Sequence, residues 1–123
     1  MSKKKKKPDH SYQVGINAER YVKDLINIYK NFPSFIYNKA TLTDRNSFAD
    51  RLGVDVYIST EFGTVPLQVK NSQCSSKNRK YYSERGIGLV TLRGRNGKNK
   101  TDQQIIDNVL RDVVEILIDR GDL

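Results

Sequence analysis

Two runs in which apolar and polar residues alternate, Gly53-Val54-Asp55-Val56-Tyr57-Ile58-Ser59 and Val65-Pro66-Leu67-Gln68-Val69-Lys70, are separated by a short polar link. A period of two marks half-buried strands, and the Glu61-Phe62-Gly63-Thr64 link is short enough to predict an antiparallel hairpin. A turn centred on Phe62-Gly63 sets Asp55 opposite Lys70, Tyr57 opposite Gln68 and Val56 opposite Val69. On that register Val54, Val56, Ile58, Val65, Leu67 and Val69 share one face, while Asp55, Tyr57, Ser59, Gln68 and Lys70 share the other. Opposed Cβ atoms lie roughly 4.5–5.5 Å apart and diagonal ones roughly 7–8 Å, so a carboxylate, an amide and an ammonium converge. Such a group suits a hard cation and a water. The same hairpin also fits a solvent-facing sheet surface that carries an ordinary Asp–Lys pair.

A chain of 123 residues is long enough to bury a core as one domain. With one cysteine, Cys74, and one histidine, His10, the sequence offers neither an internal disulfide nor the usual ligands of a zinc site. No apolar run approaches a membrane span, and Met1-Ser2-Lys3-Lys4-Lys5 lacks the apolar stretch of a signal peptide, so no membrane partner and a cytoplasmic location are expected.

The net charge of +8 is unevenly spread. Lys3 to Lys7 are consecutive lysines, and residues 77 to 100 carry eight Lys/Arg against Glu84 alone. The rest of the chain is acidic overall. A basic arm and one basic segment on an acidic domain form a footprint for a polyanion, of which nucleic acid is the commonest. Lys77, Arg79, Lys80, Arg85, Arg93, Arg95, Lys98 and Lys100 are the candidate contacts. Tyr81-Tyr82 among them either stack on unpaired bases or anchor a short helix to the core.

Residues 1–10 read as a disordered basic arm ahead of a single domain over residues 11–123. From Ser11, a plausible N-cap, the positions Tyr12, Gly15, Ala18, Val22, Leu25, Ile26 and Tyr29 describe an amphipathic helix to about Lys30. Glu19 falls on its inward stripe, where a carboxylate either snorkels to solvent or meets a cation. Ser34–Asn38 reads as a strand, residues 40–52 as a polar loop leading into Asp55, and Lys77–Glu84 as a short helix. Ile87–Leu92 is an apolar run suited to a central strand parallel to the one before the crossover, and residues 93–100 form a flexible basic loop. Thr101 or Asp102 caps a last helix whose stripe runs from Ile105 to Leu117, serving as scaffold or as a homodimer interface. The expected class is α/β, a mixed central sheet flanked by helices in the order α-β-β-β-α-β-α.

Glu19 on the first helix, Asp55 behind a glycine at a strand start, and Gln68-Val69-Lys70 on the next strand supply two carboxylates, an amide oxygen and an ammonium. Oxygen ligands of this kind suit Mg²⁺ or Mn²⁺, and Lys70 is placed to position or deprotonate a water. Through Glu19, Gly53-Val54-Asp55 and Gln68-Val69-Lys70 the chain resembles the PD-(D/E)xK nuclease superfamily, specifically its small Mrr-like and archaeal Holliday-junction-resolvase-like members. The resemblance covers residues 11 to about 92. It implies a restriction-endonuclease-like fold and Mg²⁺-dependent cleavage of DNA phosphodiesters. It also implies Asp55 as the central metal ligand, Gln68 and the Val69 carbonyl as further ligands, Glu19 as a ligand or an acid behind it, and Lys70 as the base. The chain departs from the pattern at Gln68, where an acid is commoner, and Ser47 does not have the spacing to carry the role of a resolvase loop serine. Two functions follow: a structure-selective, metal-dependent DNA endonuclease, or a nucleic-acid-binding protein on a nuclease fold that no longer cuts.

Overall fold

The computed structural model describes residues 10–72 and 75–123, and side chains from residue 17 onward. The basic arm expected at the N-terminus, apart from the backbone of His10, and Cys74 lie outside the described residues. The elements run α1 (His10–Ile28), β1 (Ile36–Leu42), α2 (Phe48–Arg51), β2 (Val56–Thr60), β3 (Gly63–Lys70), α3 (Ser76–Glu84), β4 (Gly88–Thr91) and α4 (Asp102–Asp119). The chain is therefore a mixed α/β protein, and its order differs from the expected one by a single turn of helix, α2. Ser47 creates that turn by accepting from the Asp50 amide, a cap too local to leave a hydrophobic period in the sequence.

The sheet has the order β1-β2-β3-β4, antiparallel across the first two pairs and parallel between β3 and β4. The parallel pairing of β4 is as the apolar run predicts, but β4 is an edge strand rather than a central one. Its apolar character has another cause, since helices cover it and all four of its residues are buried. β1 runs past its expected end, with Ala40 buried and Leu42 half-buried beyond an irregularity in the pairing with β2. That irregularity leaves Tyr37, Asn38 and Lys39 all exposed, which hides the alternation from the sequence.

The central hairpin forms with a register two residues from the expected one. Thr60 pairs with Gly63, Ile58 with Val65 and Val56 with Leu67, so the turn is Glu61-Phe62. Thr60 Oγ1 closes it by accepting from the Phe62 amide at 3.0 Å and donating to the Gly63 carbonyl at 2.7 Å. Because the slip is an even number, every side chain keeps its face. Pro66 is tolerated inside β3 because Leu67 turns its backbone toward β2, so Pro66 turns its own toward β4, whose pairing begins only at Leu67.

Apolar residues of β2, β3 and β4 pack with Ala18, Val22, Leu25 and Ile26 of α1 and the buried stripe of α4 into one core. α1 opens at His10, so Ser11 lies within the helix instead of capping it. Its other end is held by Asn38, whose amide donates to the carbonyls of Ile26, at 3.0 Å, and Tyr29. α4 starts as expected, Thr101 and Gln104 forming a reciprocal capping box. Both sheet edges are closed by helix side chains. Asn27 of α1 brackets the Ala40 backbone, and Asn108 and Asp112 of α4 bond the outer edge of β4. Among the described residues no helix is long and apolar enough to cross a membrane.

Candidate functional site

The register fixes how Asp55 meets β3. Its backbone N–H donates to the Leu67 carbonyl at 2.8 Å, and its Oδ2 accepts the Val69 N–H at 2.9 Å. Asp55 therefore stands alongside Gln68, not Lys70, and the carboxylate takes over the bond that a further β2 residue would have made. Backbone groups alternate in direction along a strand, so the Val69 carbonyl lies on the same side as its N–H, toward Asp55.

Glu19 reaches this carboxylate from α1, and the two share a side-chain hydrogen bond. Burial, then the negative charge of Asp55, push the Glu19 carboxyl up to about 7, with the Arg45 guanidinium acting against the rise. Burial likewise raises Asp55, opposed first by the Val69 N–H and, more weakly, by the charge of Lys70. The cation that Glu19 was expected to meet is Arg45, whose guanidinium lies 3.9 Å away. A third acid, Asp50, adds negative charge felt by both carboxyls while its own Oδ2 holds the Asn46 N–H at 3.0 Å.

Gln68 is buried, 8% exposed, so the polar face of the hairpin is not an open surface. The amide orientation that satisfies its neighbours turns the nitrogen toward the Gly53 carbonyl and toward Asp55 Oδ2, at 3.2 Å. Tyr82 of α3 closes over the same place. A Cβ on Gly53 would fall 2.9 Å from Tyr82 Cε1, and Gly53 has φ 96°, so glycine is required there twice over. Of the two roles weighed for the tyrosine pair, Tyr82 takes the anchoring one. Tyr81 is more exposed and lies under the Arg85 guanidinium, 3.7 Å from its ring centroid.

Among the described residues no three His, Cys, Asp or Glu side chains gather as a metal cluster. The donors that do meet are the Glu19 and Asp55 carboxylates, with the Gln68 amide and the Val69 carbonyl beside them. This set fits a hard divalent cation: two half-buried carboxylates set against each other hold protons more tightly than usual, and a cation between them would offset that repulsion. Thr43 packs on the same residue: its N–H donates to the Asp55 carbonyl at 3.0 Å, and its buried Oγ1 has no hydrogen-bond partner among the described residues.

Glu19, Asp55, Gln68 and Val69 are thus brought together, with Lys70 close enough for its charge to bear on Asp55. The basic candidates divide. Arg79, Arg95 and Lys100 line one groove beside β4, and Lys98 lines the cavity next to it. Lys80 pairs with Glu84 at 3.9 Å, Arg85 covers Tyr81, and Lys77 and Arg93 are exposed. Ser47 serves as the α2 cap. Sequence reasoning passed over Arg45, Asp50 and Thr43, none of which shares a periodic element with the motif residues, and it weighed Tyr82 without tying it to Gly53. The polar loop over residues 40–52 that leads into Asp55 was the available signal. Comparison of the chain with protein-family models, with curated proteins and with solved structures gives no match.

Proposed function

We propose that the protein is a Mg²⁺- or Mn²⁺-dependent DNA endonuclease with a restriction-endonuclease-like fold. The observation that carries the reading is the hydrogen-bonded Glu19–Asp55 pair, fastened to the Val69 amide and flanked by Gln68 and Lys70. Glu19, Asp55 and the Val69 carbonyl would hold the cation, with Gln68 joining through its oxygen once its amide turns over. When bound, that cation supplies positive charge against the negative charge that develops on the phosphate. Lys70 positions and deprotonates the attacking water, and Arg45 balances Glu19 at the rim. The basic residues of α3 and of the 93–100 segment hold the DNA backbone, and the resemblance to junction resolvases favours a structured substrate. A homodimer through α4 and a cytoplasmic location go with this reading.

A binding protein that does not cut is favoured by one observation, the Gln68 nitrogen turned to Asp55 where an oxygen ligand is wanted. The two are separated by incubating linear duplex, single strand and four-way junction with Mg²⁺ or Mn²⁺. The nuclease cuts at least one of them, and Asp55→Ala or Lys70→Ala abolishes the cut while leaving fold and binding intact. Binding without cleavage under every condition leaves the second reading standing.

A further inference from the structure

Residues 92–100 fold back on themselves as a small hairpin. Leu92 accepts the Lys100 N–H at 2.8 Å, Arg93 and Asn99 form a bridge, and Gly94 and Gly97 close the turn. Its returning leg carries Lys100 to the end of β4, where Nζ donates to Thr91 Oγ1 at 2.8 Å and to Asn108 Oδ1 at 3.0 Å. Arg79 from α3, Arg95 from the hairpin and Arg111 from α4 meet it around a groove of about 460 Å³ lined by no carboxylate. The groove runs on into a cavity of about 650 Å³ between the hairpin and α4, which Arg95, Lys98, Lys100 and Arg111 line together with one acid, Asp107.

Gathering four cations costs free energy that an anion would offset. Burial, then the charges of Arg111 and Arg79, loosen the hold of Lys100 on its proton, Asp112 acting the other way. Acids stand beside the cluster: Asp112, Glu115 and Asp119 line an adjoining cavity with Arg79 and Arg111, and Asp112 holds the Leu89 N–H on its Oδ2 at 2.7 Å and Arg111 Nε on its Oδ1 at 3.5 Å. The occupant is not an added β-strand, because Asn108 and Asp112 occupy the outer backbone groups of Leu89 and Thr91.

The floor of the groove lies next to the carboxyl site. Leu89 is the register partner of Gln68, and Thr91 that of Lys70. Strands are about 4.8 Å apart, so the groove floor on β4 is two spacings, on the order of 10 Å, from Asp55. A nucleic-acid strand crosses that in roughly two or three nucleotides at about 3.4 Å of rise each.

We infer that this groove binds the phosphodiester backbone of a nucleic-acid strand, gripping the phosphates next to the one presented to Glu19 and Asp55, with Arg111 as a contact outside the basic segment. The identity of the polyanion rests on the proposed nucleic-acid function; the anion site itself rests on the groove alone. The test uses the full chain in EDTA, so that no cleavage occurs, with a fluorescent oligothymidylate titrated at several salt concentrations. Arg95→Gln with Arg111→Gln lowers the slope of log affinity against log salt by about 1.4, two contacts at about 0.7 each for single strands. Arg120→Gln, the loss of one positive charge at the far end of α4, is the reference for each single substitution. Should Arg111→Gln disturb folding through Asp112, Arg95→Gln alone carries the test with a fall of about 0.7. A slope no different from that of Arg120→Gln, or no binding by the unmodified protein at low salt, overturns the groove. Binding of inorganic pyrophosphate without binding of the oligonucleotide overturns the assignment to a backbone. Groove-dependent binding by a protein that cuts nothing supports the groove and removes the nuclease, whereas cleavage with an unaltered slope does the reverse.

Discussion

Gly53 and Tyr82 occupy each other's space: the tyrosine ring edge lies 2.9 Å from where a Cβ on residue 53 would stand. A helix after the hairpin thus packs on the residue two before Asp55, and the crossover pins the backbone that aims the carboxylate. The glycine also has φ 96°, a conformation that a side chain resists.

Gly53→Ala is expected to lose about 1–3 kcal/mol, combining backbone strain with the clash against Tyr82. Gly97→Ala, at φ 78° with nothing within 4 Å of its Cβ, suffers the strain alone and loses less. Adding Tyr82→Leu to Gly53→Ala recovers only the steric part. Urea unfolding of the four proteins measures each, and equal losses for the two alanine variants would remove the close approach as a cause.

The two sheet edges are predicted to differ in what their asparagines contribute. Asn108 is 3% exposed and bonds both the Leu89 carbonyl and the Thr91 N–H, so Asn108→Ala strands buried groups and costs roughly 1–3 kcal/mol for each left unsatisfied. Asn27 is exposed, so water replaces its bonds to Ala40 and Asn27→Ala costs less. Amide exchange at Thr91 and Ala40 checks the difference, Thr91 losing protection far more in its variant than Ala40 in its own.

The carboxyl pair makes stability depend on pH in a direction opposite to that of a salt-bridged acid. Glu19 titrates near 7 in the fold against 4.5 in the unfolded chain, so the folded protein binds the extra proton. That stabilisation is complete below about pH 4.5 and is lost as the pH rises to about 7, with half-buried Asp55 shifted in the same direction. Denaturant midpoints of the metal-free protein should therefore fall across this window. Glu19→Gln should flatten the fall, and Mg²⁺ should reduce it by favouring the ionised pair. A Glu19→Gln protein with the original pH slope would place its origin elsewhere.

What the sequence carried best was whatever has a period. The alternating runs placed the hairpin and the faces of Asp55, Gln68 and Lys70, and the three- and four-residue steps placed α1 and α4. The register was lost because it turns on Thr60 Oγ1 choosing the Phe62 amide, a single contact with no pattern. The slip was harmless to the faces only because it was even. Arg45 and Asp50 were illegible for a related reason: each joins the site by tertiary packing from a segment whose own sequence shows no stripe, and the same lack left anchoring and stacking both open for Tyr82. The edge position of β4 was hidden because covering by α3 and α4 makes an edge strand as apolar as a central one.

Gln68→Glu distinguishes cutting from binding at the residue where the chain leaves the acidic form of the motif. In the fold, the amide nitrogen faces the Gly53 carbonyl and Asp55 Oδ2. A glutamate there removes both donations and sets a third carboxylate against Glu19 and Asp55 in a buried place. Without metal the variant should lose roughly 1–3 kcal/mol of stability for each buried acceptor left unsatisfied, and it should recover the loss when glutamate takes up a proton at low pH. With metal the sign reverses, because hard cations bind oxygen sites more tightly as ligand charge rises. Half-maximal cleavage should then need less Mg²⁺ than in the unmodified protein, and thermal unfolding should rise steeply with Mg²⁺. A binding protein with no metal site would show the destabilisation without the rescue, and weaker nucleic-acid binding at every Mg²⁺ concentration. Paired melting and cleavage titrations of both proteins read all of these, and a variant indifferent to Mg²⁺ in both assays would remove residue 68 from any ligand role.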